Sequence, residues 1–162
     1  MFDFQNTISI ADLINIGLLL TAIAGIFLTY IKIREGYKTQ RATFYKDIYT
    51  SLYSDPDIRK AFYLIEYDKF VYDENFHGSE IERLIDRLLT FADLVCSLYT
   101  KKAITDYEIN YFKYEFARVY RNKNIQNYLS FLSEWYGQQK IGTEPFPRYI
   151  AYCKEHFSPL NN

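Results

Sequence analysis

The chain has 162 residues with 19 lysines and arginines against 20 aspartates and glutamates, so net charge is near zero and no basic field marks a general nucleic-acid binder. Two isolated cysteines, Cys96 and Cys153, and two histidines, His77 and His156, stand at no metal-ligand spacing, and six scattered glycines build no phosphate-cradling loop, so no cofactor is expected. The unusual figures are 17 tyrosines and 13 phenylalanines, which suit a small helical core covered by rings with wet hydroxyls.

Residues 1–12 hold two acids, Asp3 and Asp12, and no base, and they read as a short extracytoplasmic leader. Residues 13–31, LINIGLLLTAIAGIFLTYI, carry no charge and are bounded by Asp12 on one side and by Lys32 and Arg34 on the other. At about 1.5 Å per residue they cover roughly 29 Å, the hydrocarbon thickness of a bilayer. A buried core helix is the competing reading, although a core helix this long seldom lacks any charge. A cleaved signal would need a basic n-region, and apolar residues run on to Ile31 past the A-x-A of Ala22 and Ala24. The stretch therefore predicts an uncleaved transmembrane helix with the lipid bilayer as its first partner.

Lys32, Arg34, Lys38, Arg41 and Lys46 follow the span, and bases are retained on the cytoplasmic side. This predicts a single-pass protein in the plasma membrane, N-terminus outside, with residues 32–162 as a cytoplasmic domain whose cysteines are reduced. The same bases form a membrane-proximal cluster that reads either as a topology signal or as a contact for anionic lipid. Within the span, Gly17, Thr21, Gly25 and Thr29 recur every four residues on one face. Small residues so placed let backbones approach, which predicts a homo-oligomer through the span.

The remainder reads as helices. Tyr37, Phe44, Ile48 and Leu52 continue the spanning helix, with Gly36 a possible bend, until Ser54, Asp55 and Pro56 stop it and start the next. That second helix, residues 56–70, carries Ile58, Ala61, Phe62 and Ile65 on one stripe, and VYDENFHGSE is a loop. Ser79 with Glu82 forms a capping-box pattern before a helix with Ile81, Leu84, Ile85, Leu88, Ala92, Val95 and Tyr99 on its apolar face and Cys96 at the border. Thr105 and Glu108 repeat the pattern and open a helix with Ile109, Phe112, Phe116 and Val119 inward. Asn124 is the expected cap of the next, with Leu129, Leu132 and Trp135 inward and Gly137 as its terminator. An extended loop around Phe146 and a short last helix with Ile150, Cys153 and Phe157 complete an all-α chain: a transmembrane helix continuing into a cytoplasmic bundle of about five to six helices.

Catalytic motifs are scarce. Asp68, Asp73 and Glu74 near His77 are the best acid/base set by proximity, and loops are rich in acids for solvation anyway. RVYRNKNIQ, Arg118 to Gln126, resembles the R-N-x-x-x-H signature of HEPN nucleases, helical bundles in which an Arg and a His act on RNA, but Gln126 stands where the His would be. Arg121 and Asn122 then read as a solvated helix end.

The span, the basic continuation, the S-D-P-D-I-R helix start at Ser54 to Arg59 and the helix from Glu80 together resemble an uncharacterised bacterial family of small single-pass membrane proteins with a cytoplasmic helical domain. Those motifs are structural, so the resemblance lends no site residues. It implies a bacterial inner-membrane protein, in a setting of stress or phage defence. Two functions follow. The first is a non-enzymatic interaction or regulatory protein whose bundle binds an unidentified cytoplasmic partner. The second is a tethered HEPN-like RNase or membrane-disrupting effector.

Overall fold

The computed structural model describes residues 10–157 as helices joined by turns, with no strand among the described residues. The short leader lies mostly outside them. The elements are α1 (Ile10–Ser54), α2 (Pro56–Glu66), α3 (Glu80–Thr100), α4 (Asp106–Ile109), a 3-10 turn (Asn110–Phe112), α5 (Lys113–Arg121), α6 (Lys123–Gln138) and α7 (Pro147–Phe157). They fall into two compact units, Met1–Phe44 and Tyr45–Asn162.

In the first unit α1 runs unbroken through Gly36, and every side chain from Ile10 to Phe44 is exposed except the half-buried Ile31. The most apolar 18-residue window of α1 has a mean hydropathy of 2.1, and none of it is buried. A core helix would be covered by its own chain, and this one is not. Each large apolar side chain left in water forgoes about 1.5–3 kcal/mol, so such a surface is stable only against lipid or another apolar surface. The helix is long and apolar enough to cross a membrane.

The second unit is an aromatic-rich bundle. α3 lies at its centre, packed against α2 and α7, while α5 packs on α2, α6 and α7. The last turns of α1 enter this core through Ile48 and Leu52. Phe112 is fully buried, with its ring centroid 6.3 Å from that of Tyr49, 6.1 Å from Phe91 and 5.8 Å from Phe116. The expected inward set Ile109, Phe112, Phe116 and Val119 is buried, but the helix that carries it is broken. The 3-10 turn separates α4 from α5, tightening the i to i+3 step from Ile109 to Phe112.

Caps explain where the helices begin. Asp55 accepts from the amides of Asp57 (2.9 Å) and Ile58 (3.2 Å), with Pro56 in the first turn of α2. The same carboxylate takes two bonds from Arg87 of α3, the shorter 2.6 Å. Burial alone would raise the Asp55 pKa, but the Ile58 amide, Arg87 and the Asp57 amide together hold it below the usual value. A depressed carboxyl adds stability that is complete above its unfolded pKa and is lost as pH falls. Asp55→Ala is therefore expected to cost about 1–2 kcal/mol at pH 7, shrinking below about pH 4, as urea unfolding at both pH values would show.

Other caps differ from the sequence expectation. Asn122, not Asn124, caps α6, accepting from the amides of Asn124 (3.0 Å) and Ile125 (3.1 Å). Asn124 instead donates to the Phe70 carbonyl (2.9 Å) and accepts from the Tyr72 amide (3.3 Å), clipping the 67–79 loop to the bundle. Ser79 caps α3, yet Glu82 turns to the Gly78 amide rather than completing the box. At α4 the Glu108 carboxylate does return to the Thr105 amide and hydroxyl, both at 2.6 Å. α7 borrows its cap: Asp93 of α3 accepts from the amides of Arg148 (2.8 Å) and Tyr149 (3.0 Å).

Three helices end in the same way. Asp68, Lys102 and Lys140 adopt left-handed φ of 53°, 58° and 55° just past the caps of α2, α3 and α6. In each, that residue's amide bonds to the carbonyl three residues back, and the next amide reaches five back, as Ala103 does to Leu98 (2.9 Å). This is the Schellman motif, normally closed by glycine. It explains why Gly137 lies inside α6 rather than ending it, and why α2 stops at Glu66 and not near residue 70. Lys102→Gly and Lys140→Gly remove the steric cost of that conformation. Each is expected to stabilise the bundle by about 0.5–1 kcal/mol in urea unfolding of the full chain. Phe146, expected to be extended, is also left-handed, with φ 48°. Trp135, expected inward, is 42% exposed, and Phe62 and Leu132 are half-buried.

Candidate functional site

The small residues expected to pack between spans all lie on α1 with nothing of their own chain near them. A Cβ added at Gly17 or Gly25 would meet no atom within 4 Å. The Thr21 hydroxyl donates to the Leu18 carbonyl and the Thr29 hydroxyl to that of Gly25, both at 2.8 Å. Each polar group is thus satisfied inside the helix, leaving a face that is small and apolar.

The basic residues do not form one cluster. Arg34, Lys38 and Arg41 share a shallow groove of about 410 Å³ with Tyr30, Ile33 and Tyr37 along one side of α1. Lys32 is not part of it, because at about 100° per residue it falls on the opposite side of the helix from Tyr30 and Arg34. Lys46 is exposed in the second unit.

The polar cluster around His77 is not the acid set suggested by proximity in the sequence. Asp68 pairs with Arg118 (3.1 Å), and Asp73 closes a turn by accepting from the Asn75 amide (2.9 Å). His77 is held instead by Glu82, through Nδ1 (3.0 Å), and by the Tyr72 hydroxyl, at Nε2 (3.1 Å), with its ring 4.3 Å from that of Phe131. Glu82 also accepts from the Gly78 amide (2.5 Å). One turn further along α3, Asp86 accepts from the hydroxyl of the buried Tyr128 (2.7 Å).

Their environments push the two carboxyls apart. Burial raises Asp86, and the nearby Glu82 charge adds to this against the Tyr128 bond. Burial also acts on Glu82, but the Gly78 amide and His77 outweigh it and leave its pKa lowered. Burial, then Asp86, raises the Tyr128 hydroxyl. Sequence reading did not single out Tyr72 and Glu82 as partners of His77, although each lies only five residues from it. Both imidazole nitrogens are engaged by protein groups, so the cluster acts as a clasp that holds the 67–79 loop on α3.

The sequence offers two cysteines, Cys96 and Cys153. Both are buried, and burial raises Cys96 above the ordinary thiol value and Cys153 to about 12. At the HEPN-like stretch Asn122 is a buried cap rather than a solvated residue, and the Gln126 amide donates to the Tyr120 carbonyl (2.5 Å). No group of three or more potential metal ligands occurs among the described residues.

No family model, no curated protein and no solved structure matches this chain. Its class is therefore defined by architecture: an all-α protein in which one long apolar helix leads into a compact helical bundle.

Proposed function

We propose that this chain is a single-pass protein of the bacterial inner membrane, N-terminus outside. Its cytoplasmic bundle is a non-enzymatic interaction or regulatory module for a partner protein. The observation that carries this reading is the wholly uncovered apolar helix continuous with the bundle. The engagement of His77, Gln126 and both thiols within the fold supports a binding rather than a catalytic role. Stress or phage defence is the setting that the family resemblance suggests for the partner.

The reading is tested by crosslinking the full-length protein in native membranes, capturing it and identifying what accompanies it by mass spectrometry. A stoichiometric cytoplasmic protein is expected; recovery of the chain alone would contradict the partner and favour a self-contained effector. Self-association is part of the same proposal. Gly17→Ile with Gly25→Ile is expected to convert crosslinked oligomers to monomers. Because neither position meets its own chain, that loss would report on a neighbouring helix and not on misfolding.

A further inference from the structure

We infer that the Tyr30, Arg34, Tyr37, Lys38 and Arg41 side of α1 is a binding stripe for the phosphates of anionic lipid headgroups in the inner leaflet. This rests on the membrane-spanning reading above. A topology signal requires only that bases lie near the end of a span, on any side of the helix. Here Arg34, Lys38 and Arg41 converge on one groove with Tyr30, Ile33 and Tyr37.

The direction of the helix matters as much as the side. Side chains on an α-helix lean toward its N-terminus, which for α1 is the membrane end. Arg34 and Lys38 lie about 4 and 10 Å beyond Ile31 along the axis, so their long stems lean back toward the headgroup layer, while Arg41, about 15 Å out, lies beyond it. Tyr30 is 61% exposed at the hydrocarbon edge, where an amphipathic ring is favoured.

The stripe is also on the correct side for an assembled protein. At about 100° per residue its centre lies roughly 190° around α1 from that of Gly17, Thr21, Gly25 and Thr29. If the small face meets another copy, the basic stripe faces lipid. One base near an anionic surface is attracted by about 1 kcal/mol, or roughly fivefold. Arg34 and Lys38 facing one phosphate should therefore give a readable selectivity.

The test uses the full-length protein with Trp135→Phe, which removes the one native tryptophan, and Ile33→Trp in the groove. The protein is reconstituted in phosphatidylcholine vesicles containing phosphatidylglycerol, with one or the other lipid brominated to quench fluorescence. The expected result is at least about threefold preferential quenching by phosphatidylglycerol, falling to no preference when Arg34, Lys38 and Arg41 are all replaced by Gln. Equal quenching by both lipids with the stripe intact, or a preference that survives the triple replacement, would overturn the inference. A Leu20→Trp reporter in the same background identifies a deeper failure. If neither lipid quenches it, the helix does not span, and the reading beneath the inference has failed.

Discussion

Leu20→Arg combined with Ala24→Arg is expected to move the protein out of the membrane fraction. The five leucines, five isoleucines and Phe27 of residues 13–31 together favour insertion by about 3–7 kcal/mol, at roughly 0.3–0.6 kcal/mol each. Two arginines near the centre of the span oppose it by about 5–7 kcal/mol, which cancels that advantage. Both positions are exposed, so the substitutions disturb no packing within the chain. Membrane sedimentation of the variant beside wild type reads the effect, and retention of the variant would show that α1 is not held by the hydrocarbon.

The largest effect on the bundle is expected from Phe112→Ala. Its ring is fully buried among Tyr49, Phe91 and Phe116, joining the end of α1 to α3 and α5 at the 3-10 break. Truncating a buried phenylalanine costs about 3–5 kcal/mol, and a domain of this size has about 5–15 kcal/mol in total. Urea unfolding followed by far-UV dichroism should show the midpoint falling by about a fifth or more. A loss below 1 kcal/mol would mean that the site collapses around the gap or is not packed as described.

The helices were legible because their apolar residues repeat at helical spacing. Ile58, Ala61 and Ile65, and Leu84, Ile85, Leu88, Ala92 and Val95, are buried as that spacing requires. Local stop signals were less legible. Glycine marks a left-handed terminus in a sequence, but here Asp68, Lys102 and Lys140 take that conformation because the two reverse hydrogen bonds outweigh the steric cost. Asn122 and Asn124 were both plausible caps, and the choice was made by a contact 54 residues away, the bond from Asn124 to Phe70.

Pairing within the loop and the helix start decided the contacts of His77. Asp68 and Asp73 were drawn to other partners, while Tyr72 and Glu82, each five residues from His77, reached it from the loop and the helix start. Along α1 the five bases read as one group in sequence. Helical rotation separates Lys32 from Arg34, Lys38 and Arg41, and so turns a charge run into a stripe with a side.

We propose a chain anchored by one span with its bundle in the cytoplasm, and one cysteine tests this directly. Tyr107 is 71% exposed on α4, and the native thiols are buried, so a cysteine placed by Tyr107→Cys is the one expected to react with a membrane-impermeant maleimide. The protein should stay in isolated membranes through alkaline extraction, and labelling in spheroplasts should appear only after lysis. Labelling of intact spheroplasts, or release of the chain by alkali, would contradict the account.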